Sequence, residues 1–147
     1  MTMIALASDH GGFSYKEKIK SVLAELKLEY RDFGAFNDSP SDYPDFAYAA
    51  AKAISGGECD RGIMVCGSGI GVDIVANKVK GIRSALCMTA EMAELSRKHN
   101  DANVLSLGER LIGWSETEEI VRVWLSTPFE GGRHSRRVDK IHSLTGC

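Results

Sequence analysis

Residues 61–71 read RGIMVCGSGIG, an apolar run that ends in Cys66 and passes at once into Gly67, Ser68, Gly69, Ile70 and Gly71. An apolar run of strand length followed by a glycine-rich turn is how a parallel strand hands over to a helix in an open α/β sheet, and ligands bind at the carboxyl ends of such strands. The turn points backbone N–H groups into the crevice, where the helix dipole also favours negative charge. Thiols at helix N-termini are the reactive kind, because the same amides and dipole favour the thiolate. Cys66 therefore reads as a reactive cysteine beside an anion cradle. The competing reading is a small buried hydrophobe at a strand end, since free cysteine is among the most buried residue types. Three glycines in five residues favour the ligand-facing role, because they are costly unless the backbone must turn tightly or approach a ligand.

Outward from this stretch, strands and helices alternate with short connections. Met3 to Ser8 is a continuous apolar run suited to a strand buried on both faces. Gly11-Gly12 leads from it into a helix with Phe13, Ile19, Val22, Leu23 and Leu26 on one side. Glu29 to Phe33 reads as a second strand, and Tyr43-Pro44-Asp45 starts an Ala-rich helix through Ile54, with proline in the first turn where it is well tolerated. Gly62 to Cys66 is the third strand and Ile70 to Lys78 a short helix. Ile82 to Cys87 is a fourth strand, Ala90 to His99 a helix, Val104 to Leu107 a fifth strand and Glu116 to Leu125 a helix. The tail from Ser135 to Leu144 offers only Val138, Ile141 and Leu144 as apolar positions, too few for a free-standing helix, so it is expected to pack on something, such as a second subunit.

The chain has 147 residues, enough for one domain that buries about two-thirds of its unfolded surface without disulfides. With 44% hydrophobic and 26% charged residues it is a globular composition. A net charge of -2 argues against a nucleic-acid partner and leaves phosphate affinity to local basic clusters. There is no apolar run of membrane length, and the opening MTMIALASDHGG lacks the basic region of a signal peptide, so neither a membrane nor export is expected and the cytoplasm is the expected compartment. Cysteines 59, 66, 87 and 147 show no CxxC or Cys/His spacing, which argues against a zinc site and a disulfide framework. Without repeats or linkers, residues 1–147 form a single domain.

In a parallel sheet, Asp9-His10 after the first strand, Tyr43 after the second and the Cys66 loop after the third converge on one edge. Asp9 and His10 also fit a helix cap. His99-Asn100 ends a helix just before the fifth strand, on the opposite edge, from which the Cys66 pocket is easier to reach across a dimer interface than within one chain. Alone, His99 fits a solvated helix end better than a catalytic role. Arg133 and Arg137 lie four apart after Gly131-Gly132 and can grip one anion together, or serve as surface ion-pair partners. Spacing rejects some rivals: Val72 stands where GxGxxG needs its last glycine and where a cysteine phosphatase needs its arginine, and the run has no Walker lysine. A thiolate acting as base or nucleophile beside oxyanion-binding amides remains.

Six motifs then carry a resemblance: SDHGG (8–12), DYPDF (42–46), CGSGIG (66–71), ANKVKGIRSALC (76–87), SRKHNDANVLSLGER (96–110) and EGGRHSRRV (130–138). The chain resembles the type B ribose-5-phosphate isomerases of the ribose/galactose isomerase family over almost its whole length. The resemblance implies a three-layer α/β/α sandwich with a five-stranded parallel, Rossmann-like sheet, and a homodimer or dimer of dimers that uses the C-terminal helix and shares its active sites between chains. It further implies an aldose–ketose isomerisation of ribose 5-phosphate to ribulose 5-phosphate through a cis-enediolate. Cys66 is the implied base, His99 the acid that opens the sugar ring, and the amides from Gly67 through Ser68, Gly69 and Ile70 to Gly71 the enediolate cradle. Asp9 and Asn100 are implied to orient sugar oxygens, Ser68 to touch the substrate, Tyr43 to line the pocket, and His10, Arg110, Arg133 and Arg137 to bind phosphate. No metal or organic cofactor is implied.

Ser68 stands where many members carry threonine, and either hydroxyl can contact substrate. Retention of His99, Arg133 and Arg137 favours ribose 5-phosphate over galactose 6-phosphate, whereas a six-carbon substrate such as allose 6-phosphate is a matter of pocket depth. A sugar-phosphate sensor on the same fold would not need the thiol.

Overall fold

Positions 4–7 and 63–65 are all apolar, so strands built from them must be covered on both faces. The computed structural model, which describes residues 2–147, meets that demand with five strands between two helical layers. In chain order the elements are β1 (Met3–Ser8), a 3-10 turn (His10–Gly12), α1 (Phe13–Glu25), β2 (Glu29–Asp32), α2 (Tyr43–Ser55), β3 (Arg61–Cys66), α3 (Ile70–Asn77), β4 (Ser84–Leu86), α4 (Ala90–Asn100), β5 (Val104–Gly108), α5 (Trp114–Ser126) and α6 (Arg133–Thr145). The strand order is β2-β1-β3-β5-β4, and every neighbouring pair is parallel, as expected.

The two-residue period of the strands divides the core. Ile4, Leu6, Ile63, Val65, Leu105 and Leu107 face one layer, where Ile19 and Leu23 of α1 and Ile120 and Trp124 of α5 meet them. Ala5, Ala7, Met64, Cys66 and Val104 face the other, against the alanines of α2 and Val72 and Ala76 of α3. The small side chains on this second face let α2 lie close to the sheet. On the first face the close approach is made by Gly12, where a Cβ would stand 2.3 Å from the Val65 carbonyl oxygen.

Several boundaries differ from the sequence reading. Leu26 falls just past α1 and is exposed, because the helix stops before its apolar stripe does. β2 ends at Asp32, whose carboxylate turns back to accept the Gly34 N–H at 2.8 Å. β4 shrinks to three residues because the chain at Arg83 is held by Asn103 instead of a ladder: Arg83 N–H donates to Asn103 Oδ1 at 2.7 Å. The last helix starts two residues early, at Arg133. It lies at the amino end of β4, where Gly81 N–H donates to the Cys147 carbonyl at 2.6 Å, and it leaves Ile141 and Leu144 exposed. Among the described residues no helix is long and apolar enough to cross a membrane.

Candidate active site

The chain leaves β1 toward β2 on one side and then crosses to β3 on the other, so the crevice of the sheet opens where the carboxyl ends of β1 and β3 lie side by side. There an open cleft of about 510 Å³ is lined by Asp9, Tyr43, Cys66, the glycine loop, Ile74, Arg110 and Leu111. Asp9 satisfies both readings of it. One carboxylate oxygen caps the 3-10 turn by accepting the Gly11 N–H at 2.8 Å, and the residue still borders the cleft.

Cys66 is the last residue of β3 and is 5% exposed. Its Sγ accepts the Gly69 N–H at 3.2 Å, and the Ser68 hydroxyl oxygen accepts the Ile70 N–H at 3.2 Å. Two of the five loop amides are thus engaged by the loop's own side chains. Those of Gly67, Ser68 and Gly71 make no hydrogen bond among the described residues and are the donors left for a ligand. The loop can close this tightly because Gly69 sits at φ +78°, in the left-handed region, with Leu107 and Leu86 so near that a Cβ would stand 2.7 Å from each.

Backbone bonds tie the opposite wall to this loop. Glu109 N–H donates to the Cys66 carbonyl and Arg110 N–H to that of Gly67, both at 3.0 Å, and the Arg110 side chain lies across Gly67. From behind, Tyr15 holds the same turn twice: its N–H donates to Glu109 Oε1 and its hydroxyl to the Ile112 carbonyl, each at 2.7 Å. Tyr43, the first residue of α2, lays its ring against Gly71. His10 pairs with Ser41, whose Oγ accepts the His10 N–H at 3.1 Å while the Ser41 N–H donates to Nδ1 at 3.1 Å. With Nδ1 accepting, the neutral ring carries its proton on Nε2, a donor free for an anion.

The remaining candidates gather elsewhere. Val104 pairs with Gly62 and Gly108 with Cys66, so the amino end of β5 lies four residues, or about 13 Å, from the Cys66 edge. His99 and Asn100 end α4, with three residues between Asn100 and that amino end. His99 stacks on His134 of α6, with ring centroids 4.3 Å apart and planes at 15°. Burial, His99 and Arg133 hold His134 below the ordinary histidine pKa. Arg133 and Arg137 rise from the same first turns of α6 and are not buried. Asn100 borders a separate groove of about 530 Å³ between α6 and β4, which holds none of the cleft residues. A single chain therefore brings Asp9, Tyr43, Cys66 to Gly71 and Arg110 together, and sets His99, Asn100, Arg133 and Arg137 apart at the other edge.

Sequence reasoning missed His134 and Glu130 as neighbours of His99, and Ser41 as the partner of His10. His134 sits inside a basic cluster that drew attention only to its arginines. Ser41 carries no signal beyond its place before Tyr43.

Comparison with known proteins bears on this arrangement. The sequence profile of the Ribose/Galactose Isomerase family matches residues 4–141. Ribose-5-phosphate isomerase B of Escherichia coli is 44% identical over 144 residues, 98% of this chain and 97% of that protein. D-erythrulose-4-phosphate isomerase of Pectobacterium atrosepticum is 42% identical over 143 residues, covering 96% and 93%. The structure of Clostridium thermocellum ribose-5-phosphate isomerase B superposes with a TM-score of 0.96 at 48% identity, covering 99% of this chain and 98% of that one.

Proposed function

Because the chain belongs to the ribose/galactose isomerases and is a sugar-phosphate isomerase of the ribose-5-phosphate isomerase B type, we propose that it interconverts ribose 5-phosphate and ribulose 5-phosphate through a cis-enediolate with Cys66 as base. The observation that carries this reading is the Cys66 sulfur, held by the Gly69 amide at the N-terminus of α3 on a cleft that also presents unpaired amides and Arg110. On the open-chain aldose the thiolate takes the C2 proton, and the electron pair forms the C1–C2 double bond while charge collects on O1. The Gly67, Ser68 and Gly71 amides and the Ser68 hydroxyl stand at the cleft where that charge is stabilised. The thiol returns its proton to C1, and the O2 proton moves to O1, so the step is balanced without a cofactor.

Ring opening and the phosphate grip are assigned to His99, Asn100, Arg133 and Arg137 from a second copy of the chain, with Asp9, His10, Tyr43 and Arg110 supplied beside Cys66. The separation of the two groups by the length of β5 supports a shared site, and the exposed Ile141 and Leu144 support α6 as part of the contact. The Pectobacterium relative, named for a four-carbon substrate, shows that substrate names differ within the family. A six-carbon sugar phosphate is the second reading for the same chemistry.

The test is formation of ribulose 5-phosphate by purified, metal-free protein, ranked against four- and six-carbon aldose phosphates. Cys66→Ala is expected to lower kcat by about 10²–10⁴-fold, the usual worth of a general base, with little change in KM. Wild-type rates in that variant refute the assigned base. Refolding Cys66→Ala with His99→Asn chains is expected to restore about a quarter of wild-type activity, because half of the random dimers then hold one intact shared site. No restoration refutes the shared site.

A further inference from the structure

We infer that His99, Glu130 and His134 form a binding site for a divalent transition-metal ion of the zinc class. The two imidazoles and the carboxylate offer ligand atoms that all lie within 4.8 Å of one another. Tetrahedral zinc with bonds of about 2.0–2.1 Å needs donors about 3.3 Å apart with both ring nitrogens aimed at the ion, so binding turns the two imidazoles out of their 4.3 Å stack. The frame that holds the donors is already built. Glu130 N–H donates to the Lys98 carbonyl at 3.2 Å, which fixes the loop beside His99, and His134 N–H donates to Gly131 at 3.1 Å as α6 begins. His134 is 7% exposed, His99 is half-buried and Glu130 faces solvent, so the site has a fixed floor and an open entrance.

The ligand types select the ion. Two nitrogens and one carboxylate oxygen suit zinc, cobalt, nickel or copper, whereas magnesium and calcium prefer all-oxygen sites. Three protein ligands leave one position to water. Arg133 and Arg137 in the first turns of α6 oppose a cation, and the Glu130 carboxylate is the nearby group that offsets them, so its removal weighs heavily on affinity. Metal bound here withdraws the His99 imidazole from proton transfer and so inhibits turnover. That consequence, unlike the binding itself, rests on the ring-opening role assigned to His99 above.

The experiment titrates metal-free protein with cobalt, read by its visible ligand-field bands, and with zinc against a chromophoric chelator, while ribose 5-phosphate turnover is followed in parallel. One equivalent of zinc is expected to bind and to inhibit. Glu130→Gln, which leaves basal turnover unchanged, is expected to raise the half-saturating zinc concentration at least about tenfold, and Cys147→Ser is expected to change nothing. Unaltered affinity in both Glu130→Gln and His134→Asn overturns the site, as does loss of binding in Cys147→Ser. Binding at the site without inhibition supports the site and overturns the ring-opening assignment instead.

Discussion

Replacing Asp32 by Asn is expected to destabilise the protein by about 3–5 kcal/mol, the usual cost of leaving a buried charge without its partner. Lys16 has no exposed surface. Its ammonium group lies 5.4 Å and 5.5 Å from the Phe13 and Phe36 ring centroids and donates to Asp32 Oδ1 at 2.7 Å and to the Ala35 carbonyl. Glu17, at 3.9 Å, is the other nearby carboxylate. Without Asp32 the ammonium keeps the Ala35 carbonyl as its hydrogen-bond acceptor, between two aromatic rings. At about 2–4 °C per kcal/mol for a chain of this size, Tm falls by roughly 6–20 °C at neutral pH.

Lys16→Met is the control. Asp32 loses one donor but keeps Lys20, at 2.7 Å, and the Gly34 N–H, so the Ala35 carbonyl is the group left without a donor, at about 1–3 kcal/mol. The double variant is expected to cost less than the sum of the singles. Burial alone would raise the Asp32 pKa, but hydrogen bonds from Lys16, Lys20 and Gly34 outweigh it and hold the carboxyl below its usual range. A depressed carboxyl stabilises the fold above about pH 4 and loses that contribution as pH falls through the lowered value, so Asp32→Asn also flattens the acid limb of stability. Thermal unfolding between acid and neutral pH reads all of this. An Asp32→Asn loss under about 1 kcal/mol, an acid limb no flatter than that of wild type, or an equal cost for Lys16→Met refutes the reasoning.

Gly12→Ala brings a Cβ to 2.3 Å from the carbonyl oxygen of a central strand that cannot yield, so the loss in urea midpoint is expected at or above the about 1–3 kcal/mol of ordinary overpacking; a loss under about 0.5 kcal/mol contradicts it. Burial pushes the Cys87 thiol up to about 11 and raises that of Cys59, whereas Cys147 is exposed. Iodoacetamide at mildly alkaline pH should therefore label Cys147 long before Cys87, and equal rates by mass spectrometry in the folded protein count against this packing. Tyr15→Phe removes the hydroxyl bond to Ile112 but keeps the Glu109 bond, loosening the turn that carries Arg110. KM is expected to rise about 2–10-fold with kcat nearly unchanged, and a selective fall in kcat argues against a positioning role.

Much of the site was legible because its chemistry is local. CGSGIG places a thiol and a set of amides within six consecutive residues, and the structure keeps them together at the end of β3. Asp9 and Tyr43 were legible as strand-end residues once the strands were taken as parallel. Arg110 came only through family resemblance, since no spacing rule links it to Cys66; what joins them is the pairing of β3 with β5, which aligns Cys66 with Gly108. The Lys16–Asp32 pair had no signal either, because a lysine on an amphipathic helix reads as solvated until the loop at 34–36 is seen to fold over it.

The order of strands and helices follows from the sequence itself, because apolar runs and glycine stops act over a few residues. Parallel pairing followed as well, since helices between strands leave no room for hairpins. The sheet order β2-β1-β3-β5-β4 was decided only in three dimensions, and with it the crevice between β1 and β3. Tertiary structure alone also stacked His99 on His134 beside Glu130, residues up to 35 positions apart, through the docking of α6 on α4. Local chemistry is written in neighbouring residues, whereas these encounters depend on which distant surfaces bury one another best.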